Sequence, residues 1–225
     1  MADPRDFSDF EFRTITCAAI DDGDRAAMHA LFDAAYRDAN HAYLEKSLTR
    51  IRYAAFATEA GRPAGFALAD MRVLDLPRLP ATTVVLAGMC CIDAAYRRRG
   101  LFAQLERLAA MAAGPAPVQR AMTAGRMAHP ASFRLMSRNP SAVPKAGVTP
   151  TPWQQEVGVA IAGAYGVEDF DPETFVCRGS GTPIGYPIME VDVAPGEWEV
   201  FRPVDRDRGD SLLGIAWMGE PPAGW

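Results

Sequence analysis

The stretch Leu86-Ala87-Gly88-Met89-Cys90-Cys91-Ile92-Asp93-Ala94-Ala95-Tyr96-Arg97-Arg98-Arg99-Gly100-Leu101-Phe102-Ala103-Gln104-Leu105 decides the reading of this 225-residue chain. Thr82 to Ile92 is apolar on both faces, as a central strand covered by helices should be. A short charged connection, Asp93 to Gly100, follows. Leu101 to Ala113 then has helical spacing: Leu101, Leu105, Leu108 and Met111 fall on one face, Glu106 and Arg107 lie off it, and Gly114-Pro115 ends it. A buried strand thus runs through a tight basic turn straight into a helix. The first N–H groups of a helix lack acceptors and carry partial positive charge, so they form a natural seat for a phosphate. Gly100 lets the backbone approach a ligand without a Cβ in the way. Arg97, Arg98 and Arg99 add charge-assisted donors suited to a pyrophosphate or a ribose phosphate.

Upstream, Arg52 to Glu59 and Gly65 to Leu74 read as the two strands of a hairpin whose turn is Ala60-Gly61-Arg62-Pro63-Ala64. Pro77 and Pro80 break the chain before the central strand. A short strand is expected at Phe12 to Thr16. From Ala26 to Leu48 apolar residues recur at helical spacing, with Asp22 or Asp24 as the cap and Asn40-His41 as a break, giving one bent helix or a pair. Downstream, Val118 to Thr123 reads as a strand, and Pro130 to Ser137 as a helix with proline in its first turn. Asn139 to Pro152 reads as a linker or wrapped loop, and Trp153 to Tyr165 as a helix. Strand-like runs follow at Thr174 to Cys177, Ile188 to Val193, Glu197 to Phe201 and Ser211 to Met218. The order implies an α/β layered domain with a mixed, mostly antiparallel central sheet flanked by helices. Residues 1–10 read as a flexible N-terminus, 11–138 as the core, and 139–225 as an extension of helix and strands packed on it as one domain.

The bulk properties bound the function. A net charge of -5 offers no global basic field for nucleic acid or an anionic membrane. No stretch approaches the roughly 20 apolar residues of a membrane span, and the acidic N-terminus lacks a signal-peptide core. The expected location is the cytoplasm. Cys17, Cys90, Cys91 and Cys177 form no Cys-x-x-Cys pair, so no metal is expected. They read as small buried residues.

The strand–turn–helix segment resembles the acetyl-CoA signature of the GNAT N-acyltransferase superfamily, Arg/Gln-x-x-Gly-x-Gly/Ala after a strand ending in an apolar residue. Arg97 matches its first position and Gly100 its glycine, while Phe102 departs from the final Gly or Ala and should narrow the space at the helix start. The bent first helix and the hairpin also fit, and the resemblance covers roughly residues 10–138. It implies an acetyl-CoA or other acyl-CoA co-substrate. The pantetheine arm would pair with the backbone of Cys90, Cys91 and Ile92 like an added strand. The N–H groups of Arg98, Arg99, Gly100, Leu101 and Phe102 would hold the pyrophosphate.

Acyl transfer to an amine needs the amine deprotonated and a donor for the developing oxyanion. The positions where the family carries its base, Val84, Leu86 and Gly88, cannot act as one. The family's tyrosine acid would fall near Leu135 or Met136. His129 is the remaining candidate base, with a backbone-bonding turn histidine as the alternative. Tyr36 and His41 sit where acceptor-binding helices end, and a solvated helix end is the alternative there. Asp93 reads as a turn cap, Glu59 as exposed, and the loop Arg178 to Pro183 as either a turn or a cover over the acceptor. The leading expectation is an acetyltransferase acting on a primary amine of a small molecule. A catalytically silent acyl-CoA-binding module and an interaction protein are the competing classes. A homodimer is compatible with the sequence.

Overall fold

The computed structural model describes residues 7–116, 120–188 and 191–225. Its elements run β1 (Phe10–Thr16), α1 (Asp22–Ala35), β2 (Tyr36–Arg37), α2 (His41–Arg50), β3 (Tyr53–Glu59), β4 (Arg62–Leu76), β5 (Leu79–Ile92), α3 (Leu101–Met111), β6 (Ala121–Met127), α4 (Pro130–Ser137), α5 (Pro152–Ala164), β7 (Phe170–Asp171), β8 (Val176–Cys177), β9 (Tyr186–Pro187) and β10 (Ser211–Trp217). The hydrogen-bonded strand order is β1-β3-β4-β5-β6-β10-β8-β7, with β2 and β9 pairing separately. The registers of β1 with β3, β3 with β4, β6 with β10, β10 with β8 and β8 with β7 are all antiparallel. The sheet is therefore mostly antiparallel and flanked by helices, as the sequence implies.

The chain divides into two compact units. One comprises Met1–Met71, Ala87–Pro115 and Gly185–Met189, the other Arg72–Leu86, Ala116–Ile184 and Glu190–Trp225. In the first, the break at Asn40-His41 is a true junction between two helices. Asn40 accepts the N–H of Tyr43 and caps α2. The cap of α1 is Asp21 rather than the expected Asp22 or Asp24, which instead place carboxylates in the positive first turn. α3 packs Leu101, Leu105 and Ala109 onto Ala55, Ala57, Ala64, Ala67 and Ala69. The expected stripe through Leu108 and Met111 is thus rotated. Met111 is 58% exposed, and Glu106 turns partly inward.

In the second unit β10 is buried along its whole length and pairs β6 on one side and β8 on the other. Gly214 makes room for Met136, Met127 and Phe133, whose atoms would lie 2.6–2.8 Å from a Cβ there. Val143 bonds back to Ile215 in both directions at 2.9 Å, so the proline-rich stretch after α4 is wrapped onto the sheet. Glu197 to Phe201 is a correction. It lies in a 3-10 helix, Pro195–Phe201, because Pro195 opens a turn and the Glu197 carboxylate accepts the N–H of Ala194 at 2.8 Å. The Ile188 to Val193 expectation is also displaced: the observed strand is Tyr186–Pro187, and Val191 to Val193 are not strand. Met189 and Glu190 lie outside the described residues, as does Val118 of the strand expected at Val118 to Thr123.

Gly65 shows how tightly the first unit is packed. A Cβ there would lie 2.7 Å from Ile92 Cδ1 and 2.9 Å from the Cys91 carbonyl oxygen. Gly65→Ala is expected to lower the unfolding free energy by about 2 kcal/mol, the usual cost of overpacking. Gly163→Ala, in α5 with nothing within 4 Å of the new methyl, should raise it by about 0.5 kcal/mol. Urea midpoints of the two variants check this, and equal midpoints would refute it.

Candidate functional site

β5 ends at Ile92, and the Asp93 N–H is tied to the Ala64 carbonyl at 2.9 Å. Asp93 accepts the N–H of Ala95 at 2.9 Å and caps a one-turn 3-10 helix, Ala94–Tyr96, as the sequence suggests. The chain then adopts φ of 66° at Arg98 and 83° at Gly100. Glycine reaches that region freely, but for arginine it costs on the order of 1 kcal/mol. Left-handed residues in such a turn swing backbone N–H groups into a concave, anion-attracting arrangement. Gly100 is the cap of α3, and no side chain caps the helix. The first intrahelical bond reaches Gly100 from Gln104 at 3.2 Å. The N–H groups of Leu101, Phe102 and Ala103 thus point out of the helix start without an intrahelical acceptor.

The three arginines differ. Arg97 is committed to two carbonyls: Nε donates to Ile92 at 3.1 Å and Nη1 to Ile188 at 2.8 Å. Arg99 folds back over the rings of Phe10 at 5.4 Å and Tyr96 at 6.0 Å. Arg98 is exposed and carries the strained backbone. Phe102 is 38% exposed, so its ring is not packed into the core beneath the helix. Glu59, expected to be exposed, accepts the Tyr96 hydroxyl at 2.7 Å, and this bond raises the phenol pKa. It fastens the hairpin to the turn.

Cys90 and Cys91 lie at the end of β5. Burial pushes the Cys91 thiol up to about 12, partly offset by Arg97, and raises that of Cys90 still more clearly with help from Glu106. Neither is a thiolate near neutral pH, so neither suits an acyl-carrying role. Glu106 has no hydrogen-bond or ion-pair partner among the described residues, and desolvation alone lifts its carboxyl to about 7.

Tyr36 and His41 are in the same unit. Tyr36 sits edge-on to Phe32 at 4.9 Å and pairs with Pro187 across the β2–β9 ladder. His41 Nε2 meets Asp33 at 2.7 Å, and its ring stacks on His29 at 4.2 Å. His29 in turn reaches Glu45 at 2.9 Å. Desolvation first, then His41 and Arg25, lower the pKa of His29.

His129 belongs to the other unit. Its Nδ1 accepts the N–H of Ala131 at 3.2 Å, which makes it the cap of α4, and its ring meets Trp198 edge-on at 5.2 Å. Desolvation, then Arg206 and Arg134, lower its pKa, so it is neutral near pH 7. With Nδ1 accepting, the ring proton sits on Nε2, and the lone pair a base needs is already used. Nearby, Arg134 holds Glu197 with an Nη2–Oε2 distance of 2.8 Å and pulls its carboxyl down to about 2. In the loop Arg178 to Pro183, Gly179 donates to Asp210 at 2.7 Å and Gly181 to the Arg208 carbonyl at 3.0 Å. Burial pushes the Asp210 carboxyl up, but Arg208 and the N–H groups of Gly179 and Asp205 outweigh it and hold it below the usual range. That loop is docked on the turn before β10. Among the described residues no group of three or more His, Cys, Asp or Glu could hold a metal ion, and no helix is long and apolar enough to cross a membrane.

The sequence singles out the turn, the cap role of Asp93 and the break at Asn40. It misses the segment Gly185–Ile188, which carries no periodic signal, and it misses the inward turn of Glu106. A helix stripe drawn through Leu101, Leu105 and Ala109 would have put Glu106 beside the core.

Glu106 yields a pH prediction. Its folded pKa lies above the unfolded 4.5, at about 7. The folded state therefore holds the proton longer, and this contribution is fully present below pH 4.5 and lost as pH rises through 7. Between pH 5 and pH 8 the wild type should lose about 2 kcal/mol more stability than Glu106→Gln. Urea unfolding at both values measures this; parallel losses would show that Glu106 does not titrate in that window.

No protein-family model and no curated protein sequence matches the chain. Among solved structures it is similar to the ribosomal-protein-S18-alanine N-acetyltransferase from Escherichia coli, at 12% identity and a TM-score of 0.44, covering 96% of this chain and 99% of that one. It is also similar to the NatC complex bound to Gag peptide and CoA, at 15% identity and a TM-score of 0.40, covering 57% and 81%. An aminoglycoside N-acetyltransferase in complex with CoA matches at 22% identity and a TM-score of 0.31, covering 44% and 66%. Its own element order, its mostly antiparallel sheet and the left-handed turn between β5 and α3 agree with the fold that the sequence resemblance implies.

Proposed function

We propose that this protein is an N-acyltransferase that moves an acetyl group from acetyl-CoA to a primary amine of a small molecule. One observation carries the reading: the uncapped start of α3, reached from β5 through left-handed Arg98 and Gly100. Left-handed Arg98 and a helix start without a side-chain cap support a pyrophosphate seat, since the anion would supply the missing acceptors. Cys90, Cys91 and Ile92 line the strand end along which a pantetheine arm would lie. In the reaction the amine nitrogen attacks the thioester carbonyl, the C–S bond breaks, the thiolate of CoA leaves, and the proton given up by the nitrogen passes to that thiolate, directly or through water. An N–H of Cys91 or Ile92 would polarise the carbonyl. Tyr36 and His41 would contribute to the acceptor side, and the site needs no metal for this chemistry.

The second reading is a catalytically silent acyl-CoA-binding module. The capping role of His129 favours it, because the one candidate base already spends its lone pair on Ala131.

Calorimetry with acetyl-CoA should give micromolar binding, weakened at least tenfold in Gly100→Asp, whose carboxylate and Cβ would oppose the pyrophosphate. A panel of small amines should then release free CoA thiol. Binding without thiol release selects the silent module. Binding that Gly100→Asp leaves intact removes the turn as the site.

A further inference from the structure

The segment Gly185–Ile188 forms a strap within the first unit. Tyr186 and Pro187 pair antiparallel with Arg37 and Tyr36, and the Ile188 N–H donates to the Ala35 carbonyl at 2.8 Å. The Arg37 guanidinium lies 5.5 Å from the centre of the Tyr186 ring. A Cβ on Gly185 would stand 3.3 Å from Ala39 Cα and the Asp38 carbonyl, so the strap lies close against the junction between α1 and α2. Its far end is held by Arg97, whose Nη1 donates to the Ile188 carbonyl while Nε donates to Ile92 at the end of β5. One guanidinium thus joins three things: the last residue of β5, the turn that leads into α3, and the strap over Tyr36 and Arg37.

A guanidinium has five N–H donors. Arg97 spends two, and the other three have no partner among the described residues. The planar fork holds these donors in fixed relation to those already bonded, so an anion gripped by the free edge also stiffens the bonds on the other edge. Arg97 precedes left-handed Arg98 by one residue and the cap of α3 by three. A pyrophosphate seated on the turn would therefore lie next to Arg97 along the chain, the residue whose remaining donors are unspent.

We propose that Arg97 is a positioning residue that fastens the strap to the end of β5, and that acyl-CoA bound at the turn tightens this fastening and so orders the acceptor edge formed by Tyr36 and the strap. The inference rests on the acyl-CoA reading of the turn. It makes the two binding events mutually supportive: acyl-CoA raises the affinity for the amine, and the amine raises that for acyl-CoA by the same factor.

Hydrogen exchange of the full chain with and without saturating acetyl-CoA tests this. Acetyl-CoA should slow exchange of the Ile188 and Arg37 amides at least tenfold. In Arg97→Ala, acetyl-CoA should still bind through the backbone N–H groups, but exchange of these amides should be equally fast with and without it. Arg97→Lys should recover part of the slowing. A purely structural role would alter exchange by the same factor in both states, so the dependence on acetyl-CoA is the decisive readout, and the wild-type comparison stands whether or not a variant folds. Bound acetyl-CoA with strap exchange unchanged within twofold overturns the inference alone, as does slowing that survives in Arg97→Ala. Failure of acetyl-CoA to bind overturns the acyl-CoA reading and the inference with it.

Discussion

α3 rests on a floor of alanines. Ala55 and Ala57 of β3 and Ala64, Ala67 and Ala69 of β4 sit beneath Leu101, Leu105 and Ala109, and larger side chains on these strands would lift the helix. Gly65 carries the same logic to its limit, since even a methyl would press on Ile92 and the backbone of Cys91. This close approach sets where the start of α3 lies relative to the end of β5. The turn must then cover a short distance, and it does so with two left-handed residues, one of them the strained Arg98. The anion-attracting geometry of the turn follows from the packing beneath it.

Around that turn, polar side chains act as fasteners. Tyr96 bonds Glu59, Asp93 caps the short 3-10 helix, and Arg97 bridges Ile92 and Ile188. Arg99 lies against Phe10 and Tyr96. A basic triplet that reads as a uniform patch is divided once the chain turns: the Arg97 guanidinium meets two carbonyls and that of Arg99 two aromatic rings, while Arg98 carries the left-handed backbone. The partly buried Glu106 is the exception among these groups. It lies close enough to raise the Cys90 thiol pKa and has no ion-pair partner among the described residues, so desolvation acts on it unopposed.

The histidines show how context assigns chemistry. His41 and His129 were open to functional reading from their positions. In the folded chain His129 caps a helix, and burial, helped by Arg206 and Arg134, lowers its pKa. His29 and His41 stack on each other, and each leans on its own carboxylate. A histidine whose lone pair already accepts a backbone N–H has little left to offer a substrate, and such a commitment is visible only when the neighbours are known.

By itself the sequence determined the central strand, the turn at Arg97 to Gly100, the helix after it, the hairpin before it and the two-helix entry. Each depends on contacts a few residues apart: an apolar run, helical periodicity, a glycine, a capping Asn40. The end of the chain was less legible. Glu197 to Phe201 has the apolar alternation of a strand, yet Pro195 and the Glu197 carboxylate wind it into a 3-10 helix. Only the tertiary structure decided that Gly185–Ile188 straps onto Tyr36, that Arg97 reaches Ile188 some ninety residues away, and that Glu106 loses its water. These depend on which distant surfaces meet, and local spacing along a chain carries no record of that.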